Sequence, residues 1–305
     1  MTGNPNVGIL PTGGAPATDG KNIYIKPNLG LGDKRQHPDP RICHTERLTD
    51  GLLVCEACRE YEEIIVSLFH EIGHIVYDSF DAMDDHEKAQ SVNRALDEAA
   101  RAGVSAKKVE RLKKSFDRQS PLNYIEAAAR ISPFLPMLLN ALEDARVNDL
   151  TIKSRPGMKI MFKASDARIF RDGVTQVSGE VTKWSDAPAN AQMLIGTFIL
   201  ASDVDPEPGW LSDEITEVLA DPELRALLDE VREARGVREV YLLAFPILER
   251  IRALGYCRLD QDEDDEQDSV AGDATPDQED TGGDDDEEGP SEGDPGPSQT
   301  DPWGD

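Results

Sequence analysis

The C-terminal part of this sequence has no lysine or arginine. Positions 260–305 contain twenty aspartate and glutamate residues among many Gly, Pro, Ser and Gln, and hardly any large apolar side chains. Such a segment cannot bury enough apolar surface to offset the conformational entropy lost on ordering. We therefore predict that residues 259–305 form a disordered acidic tail. Of the net charge of −28, this segment carries −20, which leaves −8 on the rest of the chain.

Long apolar runs are also missing. No stretch reaches the roughly 18 apolar residues of a membrane-spanning helix. The first twenty residues, MTGNPNVGILPTGGAPATDG, contain no basic region followed by an apolar stretch. We therefore expect a soluble, cytoplasmic protein that does not bind membranes. The overall negative charge argues equally against nucleic acid as a partner, because affinity for phosphate comes largely from Lys and Arg.

Cysteine is scarce, with four residues in 305, which excludes a disulfide scaffold. Three of the four nevertheless lie near histidines within 22 residues: His37, Cys43, His44, Cys55 and Cys58. The Cys-x-x-Cys pair could bring two thiolates to one ion, and Cys43 with His37 or His44 would complete a tetrahedral structural zinc site. A redox dithiol and ordinary thiols are the alternatives.

The apolar pattern predicts a mainly α (α+β) fold with a small N-terminal β element. Alternation of apolar and polar residues predicts one strand at Lys21–Lys26, and we expect this strand to offer an edge for an extended substrate. Spacings of three and four residues predict helices at Tyr61–Phe80, His86–Ala102, Ala106–Phe116, Leu122–Ile131, Phe134–Leu150, Lys159–Phe170, Ala187–Ala201, Asp213–Arg235 and Val240–Leu254.

The helix over Tyr61–Phe80 contains the sequence His70-Glu71-Ile72-Gly73-His74. Residues four apart lie on one face of a helix, so His70 and His74 can present their imidazoles to a single ion. Glu71 lies beside them, where its carboxylate suits a general base acting on a zinc-activated water. Gly73 costs a helix about 1 kcal/mol relative to Ala, which indicates close approach of another segment.

A catalytic zinc usually has a third protein ligand. The segment Phe134–Leu150 places two adjacent acids, Glu143 and Asp144, at the border of an apolar stripe, where they are costly unless paired. We predict that Glu143 is the third ligand, that Asp144 accepts a hydrogen bond from a ligand imidazole, and that Arg146 balances the charge. An exposed acid pair with a salt bridge to Arg146 is the alternative.

The run Ala17-Thr18-Asp19-Gly20 before the strand, HEIGH, and Asn140-Ala-Leu-Glu-Asp-Ala-Arg146 together resemble the CobT-related HExxH metallopeptidase-like domains of bacteria and phages. The resemblance covers roughly residues 15–160 and implies a zincin-like helical domain, with Glu143 as third ligand by motif match. Relatives often carry a von Willebrand A-type domain, which is missing here. HEIGH also occurs in the ImmA/IrrE-like peptidases, which the second motif fits less well.

We accordingly expect a flexible N-terminus at 1–20, a zincin-like domain at 21–258 with a Cys/His loop at 37–58 and a helical part at 186–258, and the tail. The predicted function is a zinc metallopeptidase that acts on a protein or peptide. The alternative is a non-catalytic zinc scaffold that engages a basic protein partner through the acidic tail.

Overall fold

The computed structural model describes residues 7–11, 16–25, 46–48, 53–117, 121–172, 174–175, 181–204 and 206–258. This part of the chain is mainly helical with a small sheet near its start, which confirms the predicted mixture of elements. The acidic segment 259–305 and the loop residues His37, Cys43 and His44 lie outside the described residues. Within the described ranges, no helix combines the length and apolar character that crossing a bilayer requires.

The described residues contain ten α-helices. Their bounds are α1 Glu56–Val76, α2 Asp85–Arg101, α3 Ala106–Asp117, α4 Tyr124–Ile131, α5 Phe134–Ser154, α6 Lys159–Asp172, α7 Ala189–Ala201, α8 Asp213–Leu219, α9 Pro222–Glu233 and α10 Val237–Ala253.

Local capping chemistry explains where several helices begin. Asp84 before α2 and Asn123 before α4 each accept a hydrogen bond from the backbone N–H three residues on. The glutamate at that position accepts one from the backbone N–H of the cap residue. The helical region at 213–235 consists of two helices, because Pro222 starts a new helix with Asp221 as its cap.

The long helix α5 forms the centre of the fold. It packs against α1, α4, α7, α9 and α10, and Leu135, Leu138, Leu139 and Leu142 are fully buried. A helix surrounded in this way has little solvent-facing surface, so the acids it carries must find partners inside the protein. This placement brings Glu143 and Asp144 against α1.

The small sheet has three strands, in the order β1 (Gly8–Pro11), β3 (Asn22–Ile25) and β2 (Ala17–Thr18). β1 runs parallel to β3 and β2 runs antiparallel to it. β2 and β3 both contact α1. A two-stranded ladder, β4 (Val174–Thr175) with β5 (Val181–Thr182), follows α6.

Two expectations about this region need correction. Parts of the predicted flexible N-terminus are strands, because β1 and β2 complete the hydrogen bonds of β3. The predicted strand, observed at Asn22–Ile25, is therefore the middle strand and offers no free edge to a substrate. β1, with the sequence GILP, does not alternate apolar with polar residues, and β2 has only two residues, so the sequence gives no sign of either strand.

Candidate metal centre

Helix α1 carries His70, Glu71 and His74 near its C-terminal end. Glu71 and His74 are buried, and His70 is half-buried. The two imidazole rings lie perpendicular to each other with centroids 4.6 Å apart, and their Nε2 atoms are 3.1 Å apart. The i, i+4 spacing thus brings both Nε2 atoms to one point, as predicted.

The third group at this point is Asp144 of α5. Its Oδ1 lies 3.1 Å from His74 Nε2 and 3.6 Å from His70 Nε2. These three residues, taken from two helices, form a group that could hold a metal ion. Three acceptor atoms that converge so closely need a shared cation or a proton between them, because their lone pairs otherwise repel each other.

Asp144, and not Glu143, lies at the position expected for the third ligand. Glu143 does not reach the histidines; it lies behind His74, accepting hydrogen bonds from Ser79 Oγ at 2.5 Å and from Arg146 Nε at 2.7 Å. The reason is the phase of the helix, since each residue turns the side chain by about 100°. Both acids border the apolar stripe, so the pattern alone could not tell which one faces α1.

Each histidine is held from its other ring nitrogen. His70 Nδ1 lies 2.8 Å from Asn148 Oδ1, and His74 Nδ1 lies 3.0 Å from Ser79 Oγ. Ligand imidazoles usually donate this second N–H to such a group, which fixes the ring and turns the Nε2 lone pair toward the ion. Neither residue was predicted from the sequence, although Asn148 stands four residues after Asp144 on the same helical face.

Arg146 is fully buried and pairs with the equally buried Glu143, as the predicted charge-balancing role requires. A second bond runs from its Nη2 to the backbone oxygen of Tyr77 at 3.0 Å. A buried carboxylate without this partner would be strongly destabilising. The pair therefore belongs to the packing of α5 against the end of α1.

Gly73 lies at a close contact between α1 and α5. A Cβ at this position would overlap the side chain of Val147 and would lie 3.0 Å from Thr151 Oγ1. Only a glycine leaves room for α5 here. The close contact expected from a glycine inside the helix is confirmed, and it sets the distance between the histidines and Asp144.

Burial and charge shift the ionisable groups of the centre. Burial raises the pKa of Glu71 against the opposing effect of His70 and His74, and Asp144 adds to the rise. Burial alone would lower the pKa of His74, but its hydrogen bond to Asp144 and the surrounding carboxylates raise it. Burial alone would raise the pKa of Asp144, but His70 and His74 lower it. A carboxylate with a raised pKa suits proton transfer near neutral pH.

The predicted Cys/His site is only partly within the described residues. Cys55 and Cys58 are both buried and cluster with Leu53, Cys55 at the N-cap of α1 and Cys58 in its first turn. His37, Cys43 and His44 lie outside the described residues. The pair thus begins the helix whose other end carries the metal centre.

Comparison with known proteins adds no assignment to this geometry. No family model matches the chain, and neither curated proteins nor solved structures give a match.

Proposed function

We propose that this protein is a zinc-dependent metallopeptidase with a metal site formed by His70, His74 and Asp144. The observation that carries the proposal is the convergence of two Nε2 atoms and one carboxylate oxygen, with Glu71 buried beside them. Two imidazoles and one carboxylate are a ligand set found in catalytic zinc sites, which keep a fourth position open. The resemblance of HEIGH and the Glu-Asp-x-Arg segment to HExxH peptidase domains supports the same function.

A zinc ion in this site would act as a Lewis acid and lower the pKa of its water to about 7. Glu71 is the residue that we assign to proton transfer. Its carboxylate takes a proton from the attacking water as the oxygen bonds to the substrate carbonyl carbon. When the C–N bond breaks, Glu71 delivers that proton to the leaving nitrogen, so the products are a carboxylic acid and an amine. The second proton of the water then passes from the acid to the amine, which gives a carboxylate and an ammonium group.

The residues around the ligands support this role. Asn148 and Ser79 contact the imidazoles at their Nδ1 atoms, and these contacts fix the orientation of both rings. Glu71 makes electrostatic interactions with both histidines and with Asp144. A general base must lie within reach of the reacting water, and its position next to His70 on one helix provides this.

The test compares the purified full chain with Glu71→Gln and with the control Glu63→Gln, which lies on the same helix away from the centre. Zinc content is measured by elemental analysis, and cleavage is followed on a mixed peptide library by mass spectrometry. We expect all three proteins to hold zinc, and only Glu71→Gln to lose cleavage. Cleavage that survives Glu71→Gln unchanged would contradict the assigned mechanism.

The same experiment separates the peptidase from the scaffold alternative. A scaffold would hold zinc and cleave nothing, with or without Glu71. Capture of a basic partner that is lost on deletion of residues 259–305, without cleavage of that partner, would favour the scaffold.

A further inference from the structure

The end of α1 folds back onto its own histidine. Tyr77 N–H donates to the Gly73 oxygen at 2.8 Å, and Ser79 N–H donates to the His74 oxygen at 3.0 Å. Between them, Asp78 has a φ of 56°. The Ser79 bond and the left-handed Asp78 are features of the Schellman motif of helix ends, with aspartate at the position where glycine is usual. Its result is that both the backbone and the hydroxyl of Ser79 return to His74.

The hydrogen-bond directions along this turn are determined by Glu143. Its carboxylate, paired with Arg146, can only accept, so the Ser79 hydroxyl donates to it at 2.5 Å. The Ser79 oxygen is then left to accept, and His74 Nδ1 donates its proton at 3.0 Å. In the neutral imidazole the lone pair is then on Nε2, the atom that faces His70 and Asp144.

Arg146 ties this chain of contacts to the helix end. It bonds Glu143 through two nitrogens and the Tyr77 oxygen through Nη2 at 3.0 Å. Tyr77 is the C-cap of α1. The contacts form a closed loop from His74 through Ser79, Glu143 and Arg146 back to the same helix, and Glu143, Arg146 and Ser79 are all buried. Movement of one member would leave a buried charge or donor without its partner.

We propose that Ser79, Glu143 and Arg146 are positioning residues that fix the tautomer and direction of His74, so that its Nε2 is ready to bind zinc. This inference rests on the proposed zinc site. It assigns different roles to the two adjacent acids: Asp144 faces the ion, and Glu143 holds the Ser79 hydroxyl. Asn148 serves His70 by a single neutral contact, so the two ligands are held in different ways.

The test measures the zinc dissociation constant of the full chain by competition with a chromophoric chelator. We expect Ser79→Ala to weaken binding by about 10- to 100-fold, the usual effect of losing such a partner. Ser79→Thr, which keeps the hydroxyl, should restore most of the affinity. Ser91→Ala is the matched control, because Ser91 is also buried and hydrogen-bonded but lies at the contact with Tyr241.

A Ser79→Ala protein that binds zinc as tightly as wild type would overturn the inference and leave the proposed function intact. A wild-type protein that binds no zinc would overturn both. If Ser79→Ala does not fold, the zinc affinities of Ser79→Thr and Ser79→Val are compared instead. The threonine and valine side chains have the same shape, and only threonine has a hydroxyl. Tighter zinc binding by Thr than by Val supports the inference, and equal binding contradicts it.

Discussion

At the scale of single residues, the site depends on which carboxylate faces the histidines. Asp144 Oδ1 lies within 3.6 Å of both Nε2 atoms, whereas Glu143 contacts Ser79 and Arg146. The sequence places these acids side by side and offers both for either role. Their different contacts allow the two roles to be separated by mutation.

We predict that Asp144→Asn lowers zinc affinity by more than about 100-fold, beyond the 10- to 100-fold effect typical of an outer partner. The amide keeps the size of the side chain but loses the charge that attracts the ion. Chelator competition gives the affinity. The control is Asp149→Asn, on the same helix and paired with Lys153, which should bind zinc like wild type. If Asp144→Asn loses no more zinc affinity than this control, the ligand assignment is contradicted.

Asp166 is a buried acid outside the metal centre, on α6. Burial raises its pKa to about 7, against a smaller opposing effect of Lys163. The folded chain therefore holds this proton more tightly than the unfolded chain. The stability it contributes is complete below about pH 4 and is lost as the pH rises to about 7, a change of roughly 4 kcal/mol for three pKa units.

We expect Asp166→Asn to remove this pH dependence. The free energy of unfolding, measured with urea between pH 4.5 and 8, should exceed that of wild type by an amount that grows with pH. The reason is that asparagine has no charge to bury. A difference between the two proteins that stays constant over this range would contradict the expectation.

At the scale of the elements, the contact of α1 with α5 determines the geometry of the site. Gly73 allows the close approach, and Val147 fills the space that a side chain would need. Because His74 stands next to Gly73 and Val147 lies three residues after Asp144, any separation of the two helices also separates the ligands.

We predict that Gly73→Ala destabilises the protein by about 1–3 kcal/mol, the usual cost of overpacking, although alanine favours a helix by up to about 1 kcal/mol. Thermal unfolding of the metal-free protein measures this. Gly157→Ala is the control, because a Cβ there meets nothing within 4 Å. Adding Val147→Ala to Gly73→Ala should recover part of the loss, and no recovery would mean that the contact is not the cause.

At the scale of the whole molecule, the question is how many zinc ions the chain holds. α1 begins at the buried pair Cys55 and Cys58 and ends at the histidines, so one helix would join two sites. The second site also needs Cys43 and His37 or His44. It therefore stays a prediction from the sequence.

We expect elemental analysis to give two zinc ions per chain for wild type. Both His70→Ala/His74→Ala and Cys55→Ser/Cys58→Ser should retain one, because each removes two ligands of a different site. A wild-type content of one that is lost only in the histidine variant would eliminate the structural site. A zinc content of His70→Ala/His74→Ala equal to that of wild type would contradict the proposed metal centre.

The sequence by itself determined the helical character, the positions of the helices with ends up to about five residues off, and the pairing of His70 with His74, because these follow from periodicity along one chain segment. It also narrowed the third ligand to two adjacent acids on α5. The spacing of apolar residues along one segment indicates these features, because an α-helix repeats every 3.6 residues.

Only the tertiary structure decided the rest. The rotation of α5 about its axis brings Asp144 to the histidines and turns Glu143 toward Ser79. Successive side chains of a helix differ in direction by about 100°, and the apolar pattern does not tell which of two adjacent acids faces α1. The middle position of β3 depends on hydrogen bonds with β1, which does not alternate apolar with polar residues, and with β2, which has only two residues. Ser79 joins the site because α1 ends in a left-handed turn at Asp78. In each case the deciding contact is between segments distant in sequence or beyond the end of a regular element, where periodicity carries no information.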